Sequence, residues 1–532
     1  MLAAIPIGYA LAENGYQVNV EPMTSGKPTT MATIEDFPAL PLFEAMAPYD
    51  ATCDLSTSWQ WNSPVSLLDM NLDRFHIRDC TTPRTAMLQT PERYENLPAE
   101  YVVLCGSGVS FAEVKRLTIA QMAAVREAGR RIGFRTVLVG AEKGETAPVD
   151  IDLRGKTTIS ELCKIIAHAR AVVSVDTGVM HLAGAYNVPM IALMPYATIG
   201  GHLSEYSPKI VLCGATASHI SPQDIEAATV RLVRVAREQF CIVGPDRECC
   251  GVAETGRVMA KACGVEYRTY REHDGGPCIA EYHNYDGVDL HKNCKPENTV
   301  LSLHRHEGLV LDQWAGVMFR GRAAMRQVRH LAKRWRYVPL HTPYVISEPR
   351  KYRADFTIAW HGQLRDEKGL AEIITATKTA HERNPQIKLK ILGSLPTGLY
   401  DENLYQTVMD HAGDAVEVDI RDNWEREDLY RAMETADCHI AFDKFDKEQS
   451  GVAATDLGFG VPVIVSCSTA FDDVRGWCVT STREGLAETI LHLASDEQAY
   501  NNYAKRAWLG AQYRKPELIA RQYRAAIIQS QL

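Results

Sequence analysis

Two loops in the first half of the chain each follow a predicted strand and carry residues suited to binding an anion. The segment CGSGVSFAEVKRL (105–117) contains glycines followed by Lys115 and Arg116, and DTGVMH (176–181) leads into a small-residue helix start. Glycine lets backbone amides approach an anion at the positive end of a helix, and two cations could neutralise a diphosphate. Alternatively, each loop is an ordinary turn, with Asp176 capping the helix that comes after it.

The elements that must position these loops are short apolar segments alternating with helical patterns. Strand, helix and strand joined by short loops indicate βαβ units, so the fold class is predicted to be α/β with doubly wound parallel sheets. Ligands of such sheets bind beyond the carboxyl ends of the strands. The predicted strands are 101–105, 135–140, 171–175, 190–194, 357–362, 389–394, 438–443 and 461–466, with helices at 118–133 and 158–170.

The length of 532 residues predicts several domains. The set of βα segments occurs twice, with a changeover near 236–250 and a weaker one near 342–355. We therefore predict two tandem units, each of paired Rossmann-like domains. Their boundaries are 1–95, 96–240, 241–350 and 351–532.

Composition excludes several classes of protein. A net charge of -9 and a pI near 6.0 argue against a protein that coats nucleic acid. No run of eighteen uncharged apolar residues and no export signal is found, so we expect a cytoplasmic protein. Scattered cysteines also suit a reducing compartment.

Cys278, His283, His291 and Cys294 could form a Cys2His2 metal site, but their spacing matches no compact zinc module, so packing is favoured and no metal is expected.

Residues of about 95–200 resemble the C-terminal domain of family-9 (heptosyltransferase-like) glycosyltransferases, and the likeness is looser over 1–95. The family has a Lys-Arg pair, a Gly-Lys-Thr helix start and an Asp-Ser/Thr-Gly-x-Met-His loop. Lys115-Arg116, Gly155-Lys156-Thr157 and the 176–181 loop correspond. The resemblance implies a set of residues that bind the donor diphosphate, namely Lys115, Asp176, Thr177, Gly178, Met180 and His181.

The beginning of the chain departs from this family. Its members open with a strand and a Gly-Asp turn whose Asp is the catalytic base, whereas MLAAIPIGYALAENGYQV matches the segment that comes after that turn. Inverting transfer needs a base to remove the acceptor proton. Either this sequence begins after that turn, or the first half no longer performs inverting transfer and instead binds a donor or acts as a scaffold. If only one half is active, we expect it to be the second.

The second half resembles retaining family-4 glycosyltransferases. ECCGVAETGR (248–257) is similar to the family's opening glycine turn at the donor phosphates, and places Gly251 there. HGQLRDEKGL (361–370) is similar to the phosphate-facing loop, with Gly362, Arg365 and Lys368. Gln363 stands where the family has an arginine, and Arg365 could compensate. The family often has a histidine beside the reacting sugar, which makes His304 or His306 a candidate; either could equally be a surface histidine.

Glu448 and Asp456 have the spacing of the family's Glu-x7-Glu pair, with the second acid shortened. A helix beginning near Ser450-Gly451 would point its amides at the leaving diphosphate. Glu448 would then approach the sugar, and Asp456 would accept ribose hydroxyls. The alternative is that both acids are ordinary charges at a helix N-terminus.

The segment FRGRAAMRQVRHLAKRWRY (319–337) has four basic residues at helical spacing: Arg322, Arg326, Arg329 and Lys333. This basic stripe could bind an anionic membrane, as a lipid-linked acceptor would require, or a DNA backbone. It could also be a solvated helix face.

These features predict a glycosyltransferase with GT-B architecture that uses a nucleotide-sugar donor without a metal or cofactor. Its catalytic candidates are Glu448, Lys368 and His304, with Gly451 and Asp456 at the donor. The expected acceptor is a glycan or lipid-linked glycan of a surface polysaccharide, and peripheral contact with the inner membrane face is possible. The alternatives are a phage-type DNA-modifying sugar transferase, a non-catalytic sugar-nucleotide-binding protein, and a sugar-nucleotide epimerase.

Overall fold

The computed structural model describes residues 88, 90–108, 112–141, 147–195, 207–246, 250–282, 290–304, 309–395, 402–446 and 449–532. Contacts divide the chain into two compact units, one ending at Phe240 but including Arg521–Leu532, and the other formed by Cys241–Ala520. The predicted domain 1–95 falls almost wholly outside the described residues.

The first unit contains a parallel six-stranded sheet with the order β3-β2-β1-β4-β5-β6. This is the doubly wound order in which a ligand crevice opens between β1 and β4, where the chain changes direction across the sheet. Its strands are β1 (Tyr101–Cys105), β2 (Arg135–Leu138), β3 (Ile151–Asp152), β4 (Ala171–Val175), β5 (Met190–Met194) and β6 (Lys209–Cys213). Its helices are α1 (Ala112–Lys115), α2 (Ile119–Arg131), α3 (Ile159–Ala167), α4 (Gly178–Ala185) and α5 (Pro222–Arg237).

The second unit contains two more parallel six-stranded sheets. The N-lobe sheet has the order β12-β11-β10-β9-β7-β8, and the C-lobe sheet has the order β15-β14-β13-β16-β17-β18. The N-lobe strands are β7 (Cys241–Gly244), β8 (Tyr267–Thr269), β9 (Cys278–Tyr282), β10 (Thr299–Leu303), β11 (Gly316–Phe319) and β12 (Trp335–Tyr337). The C-lobe strands are β13 (Phe356–Gln363), β14 (Ile387–Ser394), β15 (Val416–Arg421), β16 (Cys438–Ala441), β17 (Val463–Val465) and β18 (Val479–Thr480).

Helices flank these sheets. The N-lobe has α6 (Gly251–Cys263), α7 (Leu290–Asn293) and α8 (Arg322–Val328). The C-lobe has α9 (Leu370–Arg383), α10 (Glu402–Asp410), α11 (Arg426–Met433), α12 (Gly451–Asp456), α13 (Leu486–Ser495) and α14 (Glu497–Gln512). A last helix, α15 (Pro516–Gln531), begins in the second unit and ends among residues assigned to the first. In the part of the chain that the structure describes, no helix has the length and apolar character needed to cross a membrane.

The central strands are buried and mostly apolar because helices cover both faces of each sheet; Ser174 of β4 and Glu281 of β9 are buried polar exceptions. Every residue of β1, β4 and β5 is buried, as is typical of a parallel sheet enclosed on both sides. The predicted α/β fold class is confirmed. The eight predicted strands are present, with ends displaced by two residues or fewer.

Candidate functional site

In the first unit, a lysine and an aspartate meet at the crevice between β1 and β4. Lys115 lies at the end of α1, which follows β1, and Asp176 follows β4 directly. Their Nζ and Oδ2 atoms are 2.9 Å apart, and both residues are buried. The predicted cation therefore lies at the position where this fold binds ligands, with its charge already balanced by an acid.

The N-terminus of α4 lies beside this ion pair. The side chain of Thr177, which precedes the helix, makes no capping bond, and its hydroxyl is 3.2 Å from that of Ser174. A Cβ at Gly178 would meet no atom within 4 Å, so the first turn is open to a ligand. The Met180 amide, in contrast, donates to the Thr177 carbonyl at 3.0 Å, and its side chain is buried. That Met180 helps to hold the diphosphate stays a prediction. His181 is exposed.

The C-lobe of the second unit repeats this arrangement. Its strand order places β13 beside β16, so the crevice opens between these two strands. Lys368 follows β13 and Asp443 follows β16, and their Nζ and Oδ1 atoms are 3.1 Å apart. Sequence reasoning missed Asp443, although it lies at the end of a predicted strand, where a polar residue is informative.

Two glycines shape the loop that carries Lys368. Gly362 has a φ of +144° and Gly369 a φ of +63°, both in the region that favours glycine. A Cβ at Gly369 would lie 2.4 Å from the Phe442 carbonyl oxygen, so this loop and the end of β16 approach as closely as backbone atoms allow. Arg365 lies 3.7 Å from Glu367, within the same loop.

A buried polar cluster links the N-lobe to the C-lobe. His304 follows β10 directly, and its Nε2 is 2.7 Å from an oxygen of Glu281 on β9. Its Nδ1 is 2.6 Å from Nε2 of Gln449, which belongs to the C-lobe. With Glu281 accepting from Nε2, the neutral ring accepts from Gln449 at Nδ1. The predicted histidine therefore faces the loop that precedes α12.

His341 lies close to the same cluster and is buried. Burial is the main cause that lowers its pKa to about 3, and the positive charge of Arg320 adds to the effect. Its Nδ1 has no hydrogen-bond partner among the described residues. His341 is therefore held neutral beside His304 and Glu281.

The structure describes one member of the predicted acidic pair, Asp456. Glu448 lies outside the described residues. Gln449 and Ser450, which come after it, each have a buried side-chain oxygen without a hydrogen-bond partner in the described chain. A Cβ at Gly451 would contact nothing within 4 Å, so the start of α12 is open.

Asp456, the residue predicted to bind ribose, makes its contacts inside the C-lobe. It is fully buried, with one oxygen 2.9 Å from His361 Nε2 and 3.2 Å from His439 Nδ1. Burial alone would raise the pKa of this carboxyl, but the two histidines outweigh burial and lower it. These contacts connect α12 to β13 and β16, and the ribose contact of Asp456 stays a prediction.

Gly251 has the predicted position at the N-terminus of α6. A Cβ at this residue would meet no atom within 4 Å. Glu254, in the first turn of the same helix, forms an ion pair with Arg426 of the C-lobe. The start of α6 is therefore held against the lobe that carries Lys368.

The predicted basic stripe is not a single exposed face. The helix α8 ends at Val328, and Arg322 is buried, with its backbone N–H donating to Asp473 at 3.0 Å. Arg326 pairs with Asp472 at 2.9 Å. Both arginines therefore contribute to contacts between the lobes. Arg329 and Lys333 are exposed.

The four residues weighed as a Cys2His2 site do not assemble as such. His291 stacks on Trp314, with ring centroids 5.1 Å apart, and contacts Gln313. His283 lies outside the described residues. Cys278 and Cys294 do approach one another, together with a different histidine, His273.

Comparison with known proteins finds a family match within the first unit. Residues 78–227 match the family described as Glycosyltransferase family 9 (heptosyltransferase), and this segment contains both Lys115 and Asp176. One relative with a similar sequence is the lipooligosaccharide heptosyltransferase 2 of Haemophilus influenzae. It is 33% identical over 116 residues, which are 19% of this chain and 32% of the relative. The chain thus spans about a third of this curated relative's length.

Three solved structures show partial similarity. The family-9 glycosyltransferase from Veillonella parvula is 18% identical, with a TM-score of 0.27, over 32% of this chain and 59% of that one. Anabaena HepE with UDP and glucose is 12% identical, with a TM-score of 0.38, over 80% and 98% of the two chains. The GtfA/B complex is 13% identical, with a TM-score of 0.38, over 54% and 62%. All three TM-scores lie below 0.5. The likeness of the second half to family 4 stays a prediction.

Proposed function

We propose that this protein is a glycosyltransferase that transfers a sugar from a nucleotide-diphosphate donor, and that its second unit is the active one. The observation that carries the proposal is the combination of two features in that unit. Lys368 lies at the ligand crevice of the C-lobe, and His304 of the N-lobe contacts the loop before α12. A donor bound between these lobes would have its phosphates near the lysine and its sugar near the histidine.

In this proposal the second unit works by retaining transfer without a protein nucleophile. The bond between the sugar and the diphosphate breaks, the acceptor oxygen bonds to the sugar, and the leaving phosphate takes the acceptor proton. Lys368 and the amides at the start of α12 stabilise the charge that develops on the phosphate. Asp443 orients Lys368, and no metal is needed because these groups supply the positive charge.

His304 would contact the transferred sugar. Glu281 fixes the ring through Nε2, which leaves Nδ1 as an acceptor towards the C-lobe. In the free protein Gln449 uses this acceptor, and a sugar hydroxyl could replace it. Glu448, next to Gln449 in the chain, would approach the same sugar.

The test is nucleotide release from a panel of sugar nucleotides. Lys368→Ala should lower kcat/KM for the preferred donor roughly a hundredfold, because it removes a cation that stabilises the leaving diphosphate. Glu448→Gln should also abolish most of the activity. Lys388→Ala is a matched control, since Lys388 is exposed on β14 away from the crevice. Unchanged turnover in Lys368→Ala and Glu448→Gln would sink the proposal.

The acceptor proposed is a glycan or lipid-linked glycan, with the protein peripheral to an anionic membrane. Arg329 and Lys333 remain exposed, beside the exposed apolar residues Leu331 and Trp335. Cationic and aromatic side chains together suit a lipid interface. Binding to vesicles containing anionic lipid should weaken at high salt and in Lys333→Ala. Binding to duplex DNA but not to such vesicles would instead favour the DNA-modifying alternative.

One observation favours a second candidate, a non-catalytic sugar-nucleotide-binding protein. Asp456 is buried on His361 and His439, and Gln363 replaces an expected cation, so two donor contacts of the family-4 pattern are changed. Donor binding without nucleotide release from any sugar nucleotide would support this candidate.

A further inference from the structure

Three cysteines and one histidine gather at the amino-terminal edge of the N-lobe sheet. Cys241 begins β7 and Cys278 begins β9, and the two are paired across neighbouring parallel strands. His273 lies in the loop before β9, and Cys294 follows α7 directly. All four residues are buried, with exposed fractions between 0 and 7%.

The potential ligand atoms lie close together. Those of His273, Cys278 and Cys294 are all within 4.8 Å of one another. Cys241 Sγ is 3.5 Å from His273 Nδ1. In a tetrahedral zinc site, metal–ligand distances of about 2.0–2.3 Å place neighbouring ligand atoms roughly 3.5–3.8 Å apart. The group of His273, Cys278 and Cys294 is thus close to the required size and needs only a small contraction. Cys241 lies outside that group, next to His273, and would have to move closer to the other two sulfur atoms to complete the site.

The surroundings of His273 suggest that these residues have a role beyond packing. Its imidazole is buried against sulfur atoms, since Nδ1 faces Cys241 and the ring also contacts Cys278. Its Nε2 has no hydrogen-bond partner among the described residues. A buried imidazole normally donates and accepts hydrogen bonds with oxygen or nitrogen groups. Thiolate sulfur and imidazole nitrogen are instead the ligand types that zinc selects.

We propose that Cys241, His273, Cys278 and Cys294 form a structural Zn²⁺ site with Cys3His ligands. The four ligands complete a tetrahedron and leave no open position, so the site stabilises the fold and takes no part in transfer. The placement agrees with this role, because His304 lies beyond the opposite, carboxyl-terminal end of the strands. The metal would link the first residues of β7 and β9 to His273 in the loop before β9 and to Cys294 directly after α7.

The experiment measures zinc in the full-length protein after purification from zinc-supplemented medium and passage over a weak chelator. We expect about one zinc per chain in the parent, and less than about a tenth of that in Cys278→Ser and Cys294→Ser. Cys438→Ser is the matched control, since Cys438 is equally buried but lies on β16 in the C-lobe. It should keep its zinc.

A second measurement uses the parent protein alone, so it tests the proposal even if the cysteine variants do not fold. Parent protein stripped of metal and titrated with Co²⁺ should develop thiolate-to-cobalt charge-transfer absorption and the intense visible bands of tetrahedral cobalt. Zn²⁺ should bleach both and raise the temperature of unfolding. The proposal is overturned if the parent binds no stoichiometric zinc. It is also overturned if Cys278→Ser and Cys294→Ser retain zinc, or if mass analysis after alkylation shows a Cys278–Cys294 disulfide.

Discussion

Lys115 and Lys368 are each held by an aspartate across the ligand crevice of a different sheet. Each aspartate stabilises its lysine in the absence of a ligand and limits where the ammonium group can point. A lysine ammonium group has three N–H donors, so a nucleotide diphosphate could bind it without displacing the aspartate. Both halves of the chain contain this arrangement.

The sequence supports prediction of some of these residues and not others. Lys115 and Lys368 are recognisable because each follows a strand and a glycine-containing loop. Asp443 was missed because a single acid after a strand has many uses, and only the strand order brings it to Lys368. The burial of Asp456 depends on His361 and His439, which come from two other strands that no local pattern connects to it.

The buried state of His341 predicts a loss of stability in acid. The unfolded chain takes up a proton near pH 6.5, whereas the folded chain keeps this ring neutral until about pH 3. Between those values the unfolded state binds more protons, so the free energy of unfolding should fall by up to about 1.4 kcal/mol per pH unit from this group. His341→Gln should flatten the dependence in urea unfolding measured from pH 7 to pH 4.

The control for this prediction is His492→Gln, because His492 is exposed on α13. It should leave the pH dependence as it is in the parent. A steep acid slope that persists in His341→Gln would show that other groups are responsible.

At the scale of single elements, the turn between β13 and α9 is tightly constrained by its backbone conformation and by the end of β16. Gly369→Ala would place a methyl group 2.4 Å from the Phe442 carbonyl at a φ of +63°. We expect the free energy of unfolding to fall by roughly 1–3 kcal/mol, because both backbone strain and a clash must be relieved. Donor turnover should fall as well, since relief of the clash moves Lys368.

Gly413→Ala is the control, because a Cβ at Gly413 meets nothing within 4 Å and its φ is not positive. Its effect on unfolding should lie within about 0.5 kcal/mol. Equal stability of the two variants in denaturant titrations would contradict the close approach of the turn to β16.

Strands were predicted more reliably than the basic stripe for a physical reason. A strand enclosed on both faces is mostly apolar along its length, so its approximate bounds can be read from composition. Helical spacing, in contrast, shows which residues share a face but not what covers that face. Arg322 and Arg326 have the spacing of an exposed stripe, yet Asp472 and Asp473 cover one side of it.

At the scale of the whole molecule, two crevices of the same design predict two donor-type sites per chain. Isothermal titration with the preferred sugar nucleotide should reveal two classes of site. Lys115→Ala should weaken one of them about tenfold through loss of a charge-assisted contact, while leaving turnover by the second unit intact. Arg131→Ala, on the exposed face of α2, should change neither. A single site in the parent would count against the duplicated design.

The last helix, α15, determines when the first unit can complete its folding, because its final residues belong to that unit. Arg521 donates to the Leu88 carbonyl at 2.7 Å, and Gln529 accepts from the Lys209 amide at 3.1 Å, so the first unit uses residues encoded after the whole of the second. During synthesis the first unit would wait for these contacts until the ribosome has passed the second. A single recombination crossover between Phe240 and Cys241 would combine the first unit of one protein with the Arg521–Leu532 segment of another. The two halves should therefore be inherited and exchanged as one block.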